Sequence, residues 1–223
     1  MRINQYLAHN AGLSRREADQ YVKASRVLVN GVVCRIGQQI EPSDVVMLDN
    51  TEVATKGSFR YVLLNKPVGY VSTRKSQAGE PTVYDLLPEN YRDLKIVGRL
   101  DRASSGLVLL TDDGNFAHQL MHPRFTHQKV YNIELESSLS EDDAQKLSGG
   151  VDIGNGEVSK LEIQQHGPQQ CTVTLREGKN RQIRRSFGTL GYTVTALERV
   201  QLGPYTLAML DGAQHCETTM IEL

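Results

Sequence analysis

The sequence predicts an α+β fold in two parts. Three observations carry that prediction. Apolar residues recur at helical spacing in roughly the first 25 residues and then give way to a hairpin signal. A polar stretch over residues 51–60 separates this segment from the rest. From residue 61 onward, strand-like runs outnumber helical ones and do not alternate with them regularly, which argues against a doubly wound sheet.

The first part reads as helix, helix, hairpin, strand. Ile3, Tyr6 and Leu7 mark a short helix ending near Gly12. Ser14-Arg15-Arg16-Glu17 has the spacing of a capping box, with Ser14 as the cap and Glu17 reaching back to it. Ala18, Tyr21 and Val22 then supply an apolar face, with Arg15, Arg16, Asp19 and Lys23 on the other side. Val27-Leu28-Val29-Asn30-Gly31-Val32-Val33 is a hairpin signal, because Asn-Gly tolerates the positive φ angles of a two-residue turn. Val45-Val46-Met47-Leu48 supplies a further strand. A core of about 50 residues is marginal by itself, so this part reads as an appended module.

In the second part, Tyr61 to Lys66 is a buried-type strand stopped by Pro67. Thr82 to Leu87 reads as a short helix ended before Pro88. Ile96-Val97 and the run Gly106 to Thr111 are strands on either side of a loop containing Asp101. Phe116 to Met121 is a short helix, and Lys129 to Leu135 alternates as a half-buried strand does. Ser140 opens a helix that Gly149-Gly150 ends. Residues 158–164 and 171–176 are strands. Asn180 to Leu190 is a helix with Asn180 as its N-cap, Ile183, Phe187 and Leu190 as its apolar stripe and Gly191 as terminator.

Composition excludes several classes. The chain of 223 residues is 39% hydrophobic and 23% charged, as soluble globular proteins are. No apolar run approaches the ~20 residues of a membrane span. The N-terminus lacks the apolar core of a signal peptide. Cys34, Cys171 and Cys216 are too scattered for a disulfide framework or a zinc site, which points to a reducing cytoplasm. Neither a dinucleotide fingerprint nor a phosphate loop is present. The net charge of −1 conceals two basic segments. Residues 1–40 carry six lysines and arginines against two carboxylates, and residues 176–185 carry five against one. Local basic patches on a near-neutral chain suit a polyanion held at defined places, although each alone also reads as a solvated face.

Three segments can carry chemistry. Asp101, in Gly98-Arg99-Leu100-Asp101, is a cap for the turn ahead of Ser104-Ser105-Gly106, or a nucleophile or base. Tyr131, in Lys129-Val130-Tyr131, is core packing or an aromatic platform for a nucleobase. In Glu177 to Arg185, Arg181, Arg184 and Arg185 form a basic face. Arg184 stands at its border with the apolar stripe, where a guanidinium fork suits a semi-buried carboxylate.

The pattern from Arg2 through Gly12-Leu13-Ser14-Arg15-Arg16-Glu17-Ala18 to Val29-Asn30-Gly31 resembles the RNA-binding module named after ribosomal protein S-four. That resemblance implies that Arg15, Arg16, Lys23, Arg26, Asn30 and Arg35 face RNA. The Asp101, Tyr131 and Arg184 segments, in that order, resemble the three active-site motifs of bacterial rRNA pseudouridine synthases. Leu63-Leu64-Asn65-Lys66-Pro67 and Leu120-Met121-His122-Pro123 fit the branch named for small-subunit pseudouridine synthase A. Ala103 departs from the polar or acidic residue of many relatives.

The architecture implied is a small N-terminal α/β RNA-binding module (1–50), a linker (51–60) and a catalytic domain (61–223) built on a mainly antiparallel mixed sheet with flanking helices. The resemblance further implies that Asp101 is the catalytic aspartate, Tyr131 the base-stacking tyrosine and Arg184 the ion-pair partner of Asp101. Contact with Arg184 would favour the ionised aspartate by roughly 1–3 pKa units. Arg99, Lys129, Lys179, Arg181 and Arg185 are the expected RNA contacts of the catalytic domain. The implied reaction converts uridine in ribosomal RNA, or in a ribosome-assembly intermediate, to pseudouridine. It involves no redox change and no group transfer between molecules, so no cofactor and no metal are expected. A cytoplasmic monomer with no membrane partner is expected. The alternative is a non-catalytic RNA-binding assembly factor that keeps the fold.

Overall fold

The computed structural model describes residues 1–76 and 79–223. These form two compact units, Met1–Phe59 with Asp112–Gly114, and Arg60–Thr111 with Asn115–Leu223.

The first unit contains α1 (Ile3–Asn10), α2 (Arg15–Lys23), β1 (Val27–Val29), β2 (Val32–Val33), β3 (Val46–Leu48) and β4 (Thr51–Glu52), with sheet order β2-β1-β3-β4. The capping box forms as the sequence predicts. The Glu17 amide donates to Ser14 Oγ at 3.1 Å, and the Ser14 amide donates to the Glu17 carboxylate at 2.7 Å. Those Ser14 bonds hold the Glu17 carboxyl below its ordinary pKa. Asn30 and Gly31 take φ of 51° and 80°, the double positive φ of the expected hairpin turn. Ile3, Leu7, Ala18, Val27 and Val46 close the core. Segment 51–60 opens with a strand, because Asp49 and Asn50, both at positive φ, turn the chain so that β4 pairs with β3.

In the second unit, β5 (Tyr61–Lys66), β6 (Lys95–Val97) and β7 (Ser105–Thr111) precede α3 (Gly114–Met121) and β8 (Lys129–Leu135). Next come α4 (Glu141–Gly149), β9 (Val151–Asp152), β10 (Val158–Ser159), β11 (Glu162–Gln165) and β12 (Gln170–Leu175). The chain continues through α5 (Gln182–Thr189), β13 (Val194–Leu202), β14 (Tyr205–Thr206) and β15 (His215–Thr218). The main sheet runs β11-β12-β8-β13-β7-β5-β15, with β6 on β7 and β14 on β13. Its described pairings are antiparallel except β13 with β7. Among the described residues, no helix is long and apolar enough to cross a membrane. Val62, Leu64, Val108, Ile133, Val173 and Phe187 belong to the core of this unit.

Two elements differ from expectation. Thr82 caps a short 3-10 turn, Val83–Leu86, rather than an α-helix. The N-cap of α5 is Arg181, in the left-handed region at φ 48°, rather than Asn180. Strand β13, central to the sheet, gave no clean alternating signal. Bulges between Val194 and Ala196 and between Arg199 and Gln201 break its period of two.

Candidate active site

The site is built where the loop from β6 to β7 meets β8, β13 and the start of α5. Ser72 fixes the approach. Its hydroxyl donates to the Leu100 carbonyl at 2.8 Å and accepts from the Leu100 amide at 3.2 Å. The Ser104 amide donates to the Asp101 carbonyl at 3.0 Å, closing the turn. Backbone contacts therefore hold the loop and leave the Asp101 carboxylate open. Its side chain is 40% exposed and faces a cavity of about 540 Å³.

The arginine nearest to Asp101 differs from expectation. Arg181 approaches the carboxylate to 3.9 Å, the one ion pair of Asp101 among the described residues. Arg184 lines the same cavity but does not contact Asp101 within ion-pair distance. Its guanidinium is taken by two carbonyls, donating to Ala103 at 2.9 Å and to Val194. Its Nε is buried without a hydrogen-bond partner among the described residues. Burial and the charge of Arg181 push its pKa down, while Asp101 opposes them. Arg181 stands at the left-handed N-cap of α5, φ 48°, and reaches the carboxylate, while the guanidinium of Arg184 is committed to the Ala103 and Val194 carbonyls.

Tyr131 lies on β8, buried, with its ring on the cavity wall. Opposite it on β13 stands Arg199, which the sequence reading did not single out. Arg199 is 1% exposed. Its Nε donates to the Leu107 carbonyl at 2.8 Å and its Nη2 to the Gly98 carbonyl at 2.5 Å. Burial lowers its pKa, and the neighbouring Tyr131 phenol opposes that shift.

Two lysines are buried around the site. Lys66 is 0% exposed and donates to the Pro67 and Tyr70 carbonyls, both at 2.9 Å. Burial pulls its pKa down to about 8, with Asp101 opposing and Arg199 adding to the shift. Lys129, an expected RNA contact, lies on the buried face of β8. Burial, then Arg199, lowers its pKa, and Glu177 opposes them.

Lys66 gives a stability prediction with a definite sign. Below pH 8 its ammonium is charged in both folded and unfolded chains, so the burial penalty is fully present. Between about 8 and 10.5 the folded protein releases that proton while the unfolded chain keeps it. Stability relative to Lys66→Met therefore rises with pH over this window, by up to about 3 kcal/mol at ~1.4 kcal/mol per pKa unit. Urea unfolding of both proteins at pH 7.5 and 10.5 measures the change, and a pH-independent gap contradicts it.

The other expected RNA contacts divide. Arg15, Arg16, Lys23 and Arg35 are exposed on the first unit. Arg26 is instead tied to Asp49 by two bonds of 2.6 and 2.5 Å and lies over the Tyr21 ring at 4.4 Å. The Asn30 side chain donates to Asp44 at 2.8 Å and accepts from the Val45 amide at 2.9 Å, so it staples its own turn. Arg185 holds the β9–β10 connection through Ile153, Gly154 and Glu157. Lys179 bonds to the Val158 carbonyl at 2.5 Å and to Glu177 at 2.9 Å while still lining the cavity. Arg99 is exposed and lines it too. Arg26, Asn30, Lys179 and Arg185 thus each have a carboxylate or carbonyl partner within the protein.

Residues 60–188 match the family model described as RNA pseudouridylate synthase, more than half of the chain. The chain belongs to the RNA pseudouridylate synthase family. Residues 1–46 match the S4 domain. The dual-specificity RNA pseudouridine synthase RluF of Escherichia coli K12 is 35% identical over the whole chain and 77% of its own length. The ribosomal small subunit pseudouridine synthase A of the same strain is 34% identical, over 93% of this chain and 91% of its own. A crystal structure of a pseudouridylate synthase superposes with a TM-score of 0.69 at 28% identity, covering 98% of this chain and 96% of that one. The mixed, mainly antiparallel sheet behind an S4 domain is thus the family's architecture in this chain.

Proposed function

We propose that this family member isomerises uridine to pseudouridine in ribosomal RNA, with Asp101 as its catalytic carboxylate. The observation that carries the reading is charge placement. Asp101 is the sole carboxylate among the described residues lining the cavity, against seven lysines and arginines. A polyanionic substrate is drawn to such a surface, and its ribose meets one reactive group there. The names of the relatives, which include small-subunit and dual-specificity synthases, support ribosomal RNA as the substrate. Exposed Arg16, Lys23 and Arg35 suit phosphate contacts that position RNA without reading its sequence.

The target uridine leaves its stack and its base lies against Tyr131. Asp101 acts on the ribose, by bonding to C1′ or by taking the C2′ proton to give a glycal. The C1′–N1 bond breaks with its electron pair going to the base. The base turns and C5 bonds to C1′. In the first route this displaces the Asp101 carboxylate from C1′, and in the second C2′ takes its proton back from Asp101 as C5 adds. The C5 proton then passes to solvent with help from the Tyr131 hydroxyl. Arg184 keeps the Asp101 loop in register through the Ala103 carbonyl.

The test uses the full chain with ribosomal RNA carrying 5-tritiated uridine. Tritium release with matching pseudouridine in a nuclease digest is the expected result. Free uracil in place of pseudouridine makes the protein a hydrolase and overturns the reading. RNA binding with neither product makes it a non-catalytic assembly factor and also overturns it.

A further inference from the structure

Lys129 is a buried cation with open hydrogen-bonding capacity beside the position proposed for the base. It is 6% exposed. An ammonium carries three donors, yet its one hydrogen bond among the described residues is to the Glu177 carbonyl at 3.5 Å. Lys66, also buried, fills two donors at 2.9 Å. A buried lysine left in that state is costly to the fold and suits a site that supplies the missing acceptor only when loaded.

Its place specifies the acceptor. Lys129 and Tyr131 are two residues apart on β8, on the same face, about 7 Å apart along the strand. Both line the cavity, with Arg199 paired opposite Tyr131 on β13. A base stacked on Tyr131 therefore presents its edge to Lys129. Backbone phosphates are strongly solvated and suit the exposed arginines, Arg99 and Arg181, better than a lysine on the buried face. The chemistry places charge at the base as well. Breaking C1′–N1 leaves the electron pair on uracil, spread over N1, O2 and O4, and this anion persists until C5 attacks C1′.

We infer that Lys129 stabilises the uracil anion by donating a charge-assisted hydrogen bond to it while the base turns. Arg199, behind Tyr131, adds a fixed positive field at the same place. The inference rests on the proposed synthase reaction and assigns Lys129 to its bond-breaking step.

Fluorine at C5 withdraws electrons, stabilises the uracil anion and so makes the base a better leaving group. The experiment compares Lys129→Met with wild type in single turnovers at saturating RNA. One RNA carries uridine and the other 5-fluorouridine at the target site, and loss of the starting nucleoside is followed in digests. Methionine nearly conserves the volume, and thermal melting verifies folding. Lys129→Met is expected to slow uridine loss ~10²-fold, the scale for removing one preorganised donor. It is expected to slow 5-fluorouridine loss about tenfold or less, with RNA affinity within about threefold and partial rescue by Lys129→Arg. Equal slowing on both RNAs gives Lys129 a structural role and overturns the inference. So does weaker RNA binding with an unchanged single-turnover rate, the signature of a phosphate contact. Should wild type fail to release tritium, the synthase reading itself fails, a result distinct from either.

Discussion

Asp101→Asn is expected to reduce tritium release from 5-labelled RNA by at least ~10³-fold, as removal of a group that bonds or deprotonates the substrate does. RNA affinity should change by less than about threefold. The geometry separates the two effects. Asparagine preserves the shape of the side chain, and the loop is held by backbone and Ser72 contacts that the substitution leaves in place. The one ion pair lost among the described residues is that with Arg181 at 3.9 Å, with both side chains 40% or more exposed. Solvent-exposed pairs of this kind contribute ~0–1 kcal/mol, so thermal melting should move little. Turnover within tenfold of wild type in a preparation free of wild-type protein would remove Asp101 from the reaction. Arg184→Ala is less decisive, because it frees the Ala103 and Val194 carbonyls and loosens the loop with them.

Features governed by local chemistry were legible in the sequence. The Ser14 cap, the Asn30-Gly31 turn, the Ser140 helix start and the alternation of β8 each depend on a few adjacent residues. The cavity was legible at one remove, because three motifs in order indicated that Asp101, Tyr131 and Arg184 share a site, and all three line it. What failed was pairing across the fold. No local pattern shows that Arg181 adopts a left-handed cap, that it is the arginine within ion-pair distance of Asp101, or that the Ala103 and Val194 carbonyls take up Arg184. Arg26, Asn30 and Arg185 read as free polar groups because Asp49, Asp44 and Glu157 lie 23, 14 and 28 residues away. Lys66 did leave a signal. It is two residues from Leu64 in a strand, so both face the same side, and both are 0% exposed. Arg199 left none, since the bulge beside it breaks the alternation that would have marked it as inward.

Gly106→Ala is expected to produce the largest stability loss of the Gly→Ala changes at the described glycines. Gly106 sits on β7 at φ 102°, in register with Lys66 on one side and with Arg199 on the other. A Cβ there would lie 2.3 Å from the Arg199 carbonyl oxygen and 2.6 Å from its amide nitrogen. Both are backbone atoms, so no side chain can move aside, and β13 must separate from β7 at their parallel pairing. Backbone strain of ~1–3 kcal/mol and overpacking of ~1–3 kcal/mol add to a loss of roughly 2–6 kcal/mol. A domain of this size then melts about 10 °C lower. Gly188→Ala is the control. It sits in α5 with open space around it and ordinary φ, so alanine should stabilise by ~0.4–1 kcal/mol. A Gly106→Ala protein that melts within 2 °C of wild type would contradict this account of the sheet. The consequence reaches the site, because Arg199 also holds the Gly98 and Leu107 carbonyls on either side of the Asp101 loop. Moving β13 away from β7 shifts that loop, so turnover should fall even at temperatures where Gly106→Ala remains folded. The missing side chain at Gly106 thus joins closure of the sheet to placement of the reactive carboxylate.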